Sequence, residues 1–154
     1  MNVRQQLDFH PFTRPLPTRL RDSLAALAAP ALYRPGQLIL TEGEAADRFL
    51  LIVEGKVAVN ITCPRQGDLT VQTVGGGEVV GWSWMSEPYE GAFDVVCLEE
   101  VLGVEVDAKR LRELMEQDHE LGYRLSKRLV EVVAGRLQST RLRLLDLYAP
   151  RVRR

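Results

Sequence analysis

The sequence predicts a mainly β fold with flanking α-helices: a β-roll, a jelly-roll-like double-stranded β-helix, followed by a long C-terminal helix. Three observations predict it. From Tyr33 to Val106, glycines recur at 36, 43, 55, 67, 75–77, 81, 91 and 103, with short apolar or alternating runs between them. Short strands punctuated at this interval belong to rolls, sandwiches and barrels. After Asp107 the apolar period becomes helical and stays so to about Tyr148. Finally, 154 residues with 45% hydrophobic and 27% charged side chains suffice for one domain with a buried core and a terminal helical arm.

Taken in order, residues 1–16 read as an irregular arm, because Pro11, Pro15 and Pro17 forbid a long helix. Thr18 is placed to cap a short helix to about Ala29, with Leu20, Leu24 and Leu27 on one face and Pro30 as its stop. The expected strands are 37–41, 48–54, 56–62, 69–74, 92–98 and 101–105, and Glu54-Gly55 reads as a hairpin tip. Asp107 is the expected N-cap of a helix bearing Leu111, Leu114 and Met115. Asp118 caps a longer helix to about Tyr148, which Pro150 stops. The units are therefore an arm 1–16, a β-roll with flanking helices 17–117, a long helix 118–148 and a basic tail 149–154.

The apolar stripe of the long helix includes Leu121, Leu125, Leu129, Val132, Leu137 and Leu144, at spacings of mostly four and three. Such a stripe serves a core or a partner. At 1.5 Å per residue the helix is about 45 Å long, more than a small β domain spans. The expectation is a homodimer through this helix, with Leu121, Leu125, Leu129, Val132, Leu137 and Leu144 at the interface.

The net charge of −1 hides an asymmetry. From Leu121 onward, nine basic residues face only Glu131 and Asp146, a formal +7, so the remainder carries −8. An acidic body with a basic end suggests attraction between parts or copies, or an acidic protein partner whose identity the sequence does not reveal. The two cysteines, Cys63 and Cys97, no signal-peptide pattern and no membrane-length apolar run point to a cytoplasmic protein with reduced thiols and no membrane contact. His10 and His119 are the only histidines, and both lie outside the β segment, so no metal site and no cupin-type enzyme is expected. No serine or cysteine nucleophile with a histidine partner is apparent, so no catalytic residues are assigned.

The chemistry concentrates in Gly75-Gly76-Gly77-Glu78-Val79-Val80-Gly81-Trp82-Ser83-Trp84. Three successive glycines allow conformations that point consecutive amide N–H groups into one concavity. A short helix expected over about Val79–Met85 would aim its positive end there too. The run is neither a Rossmann fingerprint, since Val80 replaces its last glycine, nor a P-loop, since no Gly-Lys-Ser/Thr follows. Trp82, Trp84, Tyr89 and Phe93 supply walls, and with Glu78, Glu87 and Glu90 they also suit a neutral or cationic ligand.

Three stretches together resemble the cyclic-nucleotide-binding domains of the catabolite-activator type over about residues 20–148. They are the opening glycine framework from Tyr33-Arg34-Pro35-Gly36 to Glu54-Gly55-Lys56-Val57, the Gly77-Glu78 segment, and the closing helices with Asp118, Glu120-Leu121-Gly122-Tyr123-Arg124-Leu125 and Arg136-Leu137-Gln138. The resemblance implies a regulatory sensor with no enzymatic activity and no tightly held cofactor, its ligand a cyclic nucleotide such as cAMP. It implies ligand contacts from Gly77, Glu78, Val79, Val80, Trp82, Ser83, Tyr89 and the position of Glu90, with Glu78 accepting from a ribose hydroxyl.

One departure matters. The family closes this segment with an arginine that grips the cyclic phosphate, and here the matching residue is Glu90. No lysine or arginine occurs between Arg65 and Lys109. A carboxylate about 4 Å from a phosphate costs about 4 kcal/mol at an effective dielectric near 20. The expected rescuers are Arg124, Lys127 or Arg128 from the closing helix. The alternative is a ligand-free dimeric protein-interaction module. A helix-turn-helix after the long helix, the family's usual DNA-binding output, is not expected in these 154 residues.

Overall fold

The computed structural model describes residues 1–148; the basic tail and Pro150 lie outside the described residues. Eight strands form two four-stranded antiparallel sheets. They are β1 Ala28–Tyr33, β2 Leu38–Leu40, β3 Arg48–Glu54, β4 Lys56–Cys63, β5 Gly67–Gly75, β6 Val79–Val80, β7 Asp94–Cys97 and β8 Val101–Asp107. One sheet runs β1-β8-β3-β6 and the other β2-β7-β4-β5. The helices are α1 Val3–Phe9, α2 Thr18–Ala25, α3 Ala108–Gln117 and α4 His119–Tyr148. A jelly-roll-like β-roll with flanking helices and a long last helix is thus what the glycine spacing and the change of period predict.

Alternation along β3 builds two cores. Leu50 and Ile52 point between the sheets, where they meet Val57, Val59, Val74, Val80, Val95 and Val101. Phe49 and Leu51 point the other way, beneath Leu7, Leu20, Leu24, Trp84, Leu111, Leu121 and Leu125. A strand covered on both faces reads as an unbroken apolar run, which explains Phe49-Leu50-Leu51-Ile52.

Several expectations are corrected. The arm 1–16 is not irregular: Asn2 and Gln5 form a reciprocal capping box that opens α1. The prolines restrict only the chain beyond residue 10. The second helix ends at Ala25, its N-cap is Pro17 with no side-chain cap, and Ala28–Tyr33 is a strand instead. Pro30 sits within that strand and is tolerated because β1 is an edge. Glu54-Gly55 is not a hairpin tip, since β3 and β4 belong to different sheets. Gly55 is the corner between them, at φ 104°, where a Cβ would lie 2.3 Å from the Glu100 carbonyl oxygen.

The closing helices follow the sequence closely. Asp107 accepts from the Arg110 amide at 3.1 Å and Asp118 from the Leu121 amide at 3.2 Å. Arg19 of α2 reaches Asp118 at 2.7 Å and Glu120 at 3.0 Å, tying α2 to the start of α4. The stripe on α4 divides. Leu121, Leu125 and Leu129, expected at an interface with a second copy, are buried in this chain's own core, with Val132 packed beside them. Leu137 and Leu144 are exposed.

Candidate ligand site

The segment Gly75–Phe93 is fixed by its neighbours on three sides. β6 pairs with β3, Leu50 opposite Val80 and Leu51 opposite Val79. Gly77 donates to the Ile52 carbonyl at 2.8 Å, and Ile52 donates to the Glu78 carbonyl at 2.9 Å. Glu78 folds back so that Oε2 accepts from the Gly75 amide at 2.7 Å. The expected helix over Val79–Met85 does not form. Val79 and Val80 are strand, and only Ser83–Met85 makes a single 3₁₀ turn, so no helix dipole aims at the site. The reason is β6's ladder to β3, followed by Gly81 at φ 87°, where a Cβ would lie 2.7 Å from Leu40 Cδ1.

Beyond that turn, residues 86–92 return along the loop 41–46. Gly43 donates to the Gly91 carbonyl at 2.9 Å, Gly91 to the Glu44 carbonyl at 2.8 Å, and Ala46 to the Tyr89 carbonyl at 2.8 Å. Arg112 of α3 holds the same loop from below. Its guanidinium lies 3.8 Å from the Tyr89 ring centroid, and its Nη1 donates to the Trp84 carbonyl at 3.0 Å.

The centre of the site is Arg136 of α4. It is 9% exposed, Nη2 donates to the Val79 carbonyl, and the guanidinium stacks 4.3 Å from the Trp82 ring centroid. Its Nη1 is buried without a hydrogen-bond partner among the described residues. Burial pulls this guanidinium down to about 10, against the opposing pull of Glu78. An under-paired buried cation is costly unless something completes its bonding.

Three adjoining hollows share Arg136. The first, beside Leu40, Gly81, Gly91, Ala92 and Phe93, is almost filled at about 30 Å³. The second, about 250 Å³, lies between Gly77, Glu78, Gln72, Arg128 and Ser139. The third, about 370 Å³, is an apolar slot between α4 and the β4–β5 sheet, lined by Val59, Ile61, Val71, Phe93, Leu137 and Thr140.

Of the residues predicted from sequence, Gly77, Glu78 and Val79 line the second hollow, and Val80, Trp82 and Ser83 line the first. Tyr89 and Glu90 line none of the three. Tyr89 is held under Arg112, and Glu90 is exposed, bridged through its backbone to Ala45. None of the expected rescuers offers a free cation to the site: Lys127 is exposed and lines none of the three hollows. Arg124 pairs with Glu120 at 3.4 Å. Arg128 reaches the second hollow, but its guanidinium is bonded to Glu131 and to the Pro11 and Phe12 carbonyls. Arg136 was missed, although the inward spacing 121, 125, 129, 132 continues to it.

A family model for the cyclic nucleotide-binding domain matches residues 31–118. A CRP-like cAMP-activated global transcriptional regulator from Mycobacterium tuberculosis is 27% identical over 118 residues, 77% of this chain and 51% of the regulator. The chain therefore spans about half the length of the curated relatives it matches. A cyclic nucleotide-binding domain from Methylobacillus flagellatus superposes with a TM-score of 0.84 at 19% identity, covering 99% of this chain and 89% of that one. The regulatory subunit of a cAMP-independent protein kinase A from Trypanosoma cruzi, bound to guanosine, superposes at 0.66 with 22% identity, covering 79% of this chain and 41% of that one.

Proposed function

The chain belongs to the cyclic nucleotide-binding domain family, and we propose that it is a small-molecule sensor whose output is the placement of its long C-terminal helix. The observation that carries this reading is Arg136, a nine-tenths-buried cation with an unfilled donor, supplied by α4 to a site whose other walls come from both the β-roll and α4. A nucleotide-type ligand accepting from Nη1 bonds directly to the helix that moves. Upstream of Arg136, α4 is fastened through Leu121, Leu125 and Leu129. Downstream, its polar tie to the roll is Arg143 Nη1 donating to the Val71 carbonyl at 2.6 Å. Ligand shifts the population of this outer half between two arrangements.

The proposed homodimer uses a different face from the buried leucines. Tyr123, Val130, Leu137 and Leu144 recur every seventh residue and are exposed, interleaved with Ser126, Val133, Thr140 and Leu147. That is the seam of a two-stranded coiled coil. Beside it, Trp82, Met85, Leu129 and Ala134 border an apolar groove of about 410 Å³, which a second copy's helix covers.

Calorimetric titration with cAMP, cGMP, adenosine and guanosine at low salt, on wild type and Arg136→Leu, tests the sensor. At least one compound binds wild type with a Kd below about 100 μM, and Arg136→Leu weakens it at least about tenfold, one charge-assisted hydrogen bond's worth. Heat from none of the four up to millimolar concentration sinks the sensor. It then favours a protein-interaction module, a reading that the almost filled first hollow supports.

A further inference from the structure

We infer that this site takes an uncharged, nucleoside-type ligand in preference to a cyclic phosphate. The inference rests on the sensor reading and names the chemistry of the same site.

The side of the site nearest Gly91 and Ala92 is closed to an anion by both charge and volume. Backbone hydrogen bonds between the loops 41–46 and 89–91 bring exposed Glu42, Glu44 and Glu90 to one rim. Asp94 joins them, its Oδ1 accepting from the Glu42 amide at 2.8 Å. No lysine or arginine lies between Arg65 and Lys109 to offset these carboxylates. The hollow behind the rim is about 30 Å³, walled by Leu40, Val80, Trp82, Phe93 and Val95, with Thr41, Ser83 and Arg136 also in its lining. A hollow of that size has no room for a phosphate, and the carboxylates at its rim oppose the approach of an anion past them to Arg136.

The charges that line the larger hollows cancel. Arg128 is neutralised by Glu131 at 2.5 Å. Arg136 faces Glu78, whose charge works against the loss of its proton. Adding a neutral ligand preserves that balance, whereas a cyclic phosphate adds a net negative charge beside Glu78 and Glu131. What remains on offer suits a nucleoside. Glu78, when ionised, has only acceptor atoms, so it pairs with hydroxyl hydrogens and repels phosphate oxygens. Arg136 Nη1 needs an acceptor, and a ring nitrogen, an ether oxygen or a carbonyl satisfies it without a charge. The third hollow is an apolar slot with Gln72 and Thr140 as its uncharged polar side chains, a place for a flat heteroaromatic ring read along one edge.

Competition of the same four compounds on the full chain separates this inference from the sensor reading. Adenosine or guanosine is expected to bind at least tenfold tighter than the corresponding 3′,5′-cyclic monophosphate at low salt. Its affinity should change less than twofold on raising salt, because no net charge is brought in. Glu90→Arg, on the rim and outside the lining, is expected to raise cyclic-nucleotide affinity at least fivefold and leave nucleoside affinity within twofold. Cyclic nucleotides binding as tightly as nucleosides, or tighter, overturn the inference and leave the sensor reading intact. Cyclic-nucleotide affinity that ignores Glu90→Arg also counts against it. No binding by any of the four overturns both.

Discussion

Arg136 continues the inward row of Leu121, Leu125, Leu129 and Val132 on α4, which makes its replacement informative in two directions at once. Replacing buried ionic groups by apolar side chains of similar volume is often neutral or stabilising by about 1–4 kcal/mol. Arg136→Leu is therefore expected to hold or raise the unfolding midpoint in calorimetry while losing ligand. A fall of several degrees would mean the Val79 and Trp82 contacts outweigh the burial cost. His10 offers a second test. Its Nδ1 accepts from the Phe12 amide at 3.1 Å, which leaves Nε2–H to donate to the Ile52 carbonyl at 2.9 Å. Burial holds the imidazole below its ordinary value of 6.5. A depressed folded pKa means the unfolded chain binds the proton first. The stabilisation is thus complete above about pH 6.5 and is lost as pH falls below it, at up to about 1.4 kcal/mol per pH unit. Chemical denaturation of wild type and His10→Gln from pH 8 to pH 5 should show their difference shrinking on acidification; a pH-independent gap would contradict this. At this scale the structure sets some of the expected residues at the hollows and others away from them. The glycines and Glu78 were legible because their chemistry is local. Glu90 misled, because a linear match cannot tell a lining residue from one turned to the rim. Arg136 lay hidden because charge argues for a surface even where spacing argues for the core.

Elements were read best where one periodicity governs them. α3, α4 and their aspartate caps follow from helical spacing, and β3 from an apolar run. Failures came where a long-range partner decides. β1 exists because β8 pairs with it in full register, Ala28 against Val106 through Tyr33 against Val101, and nothing within Ala28–Tyr33 announces that. The Glu54-Gly55 corner looks like a hairpin in sequence because both use a glycine with positive φ; only the sheet assignment separates them. Gly81 lets β6 end and the chain turn beneath Leu40. Gly81→Ala is expected to cost more than about 1 kcal/mol by urea denaturation, from the left-handed backbone and the overlap with Leu40 together. The two faces of α4 should respond oppositely. Leu125→Ala is expected to cost about 2–5 kcal/mol, whereas Leu137→Glu should leave monomer stability within about 0.5 kcal/mol and shift sedimentation toward the monomer. Equal effects at the two positions would erase the distinction between core face and seam.

At the scale of the molecule, β3 and β8 contribute side chains to both cores, so neither core can dissolve alone without exposing the other. Their amides should be among the last to exchange with deuterium, and the outer half of α4 among the first. The site lies where the roll and the outer part of α4 meet. The two tryptophans of the chain are both there: Trp84 is sealed in the core against Phe49 at 5.4 Å, and Trp82 lies under the guanidinium of Arg136. The protein thus carries a built-in optical probe. Emission from Trp84 should stay blue and steady as a reference, while Trp82 brightens or dims whenever Arg136 lifts from its ring, so that movement of α4 can be followed in real time without attaching a dye.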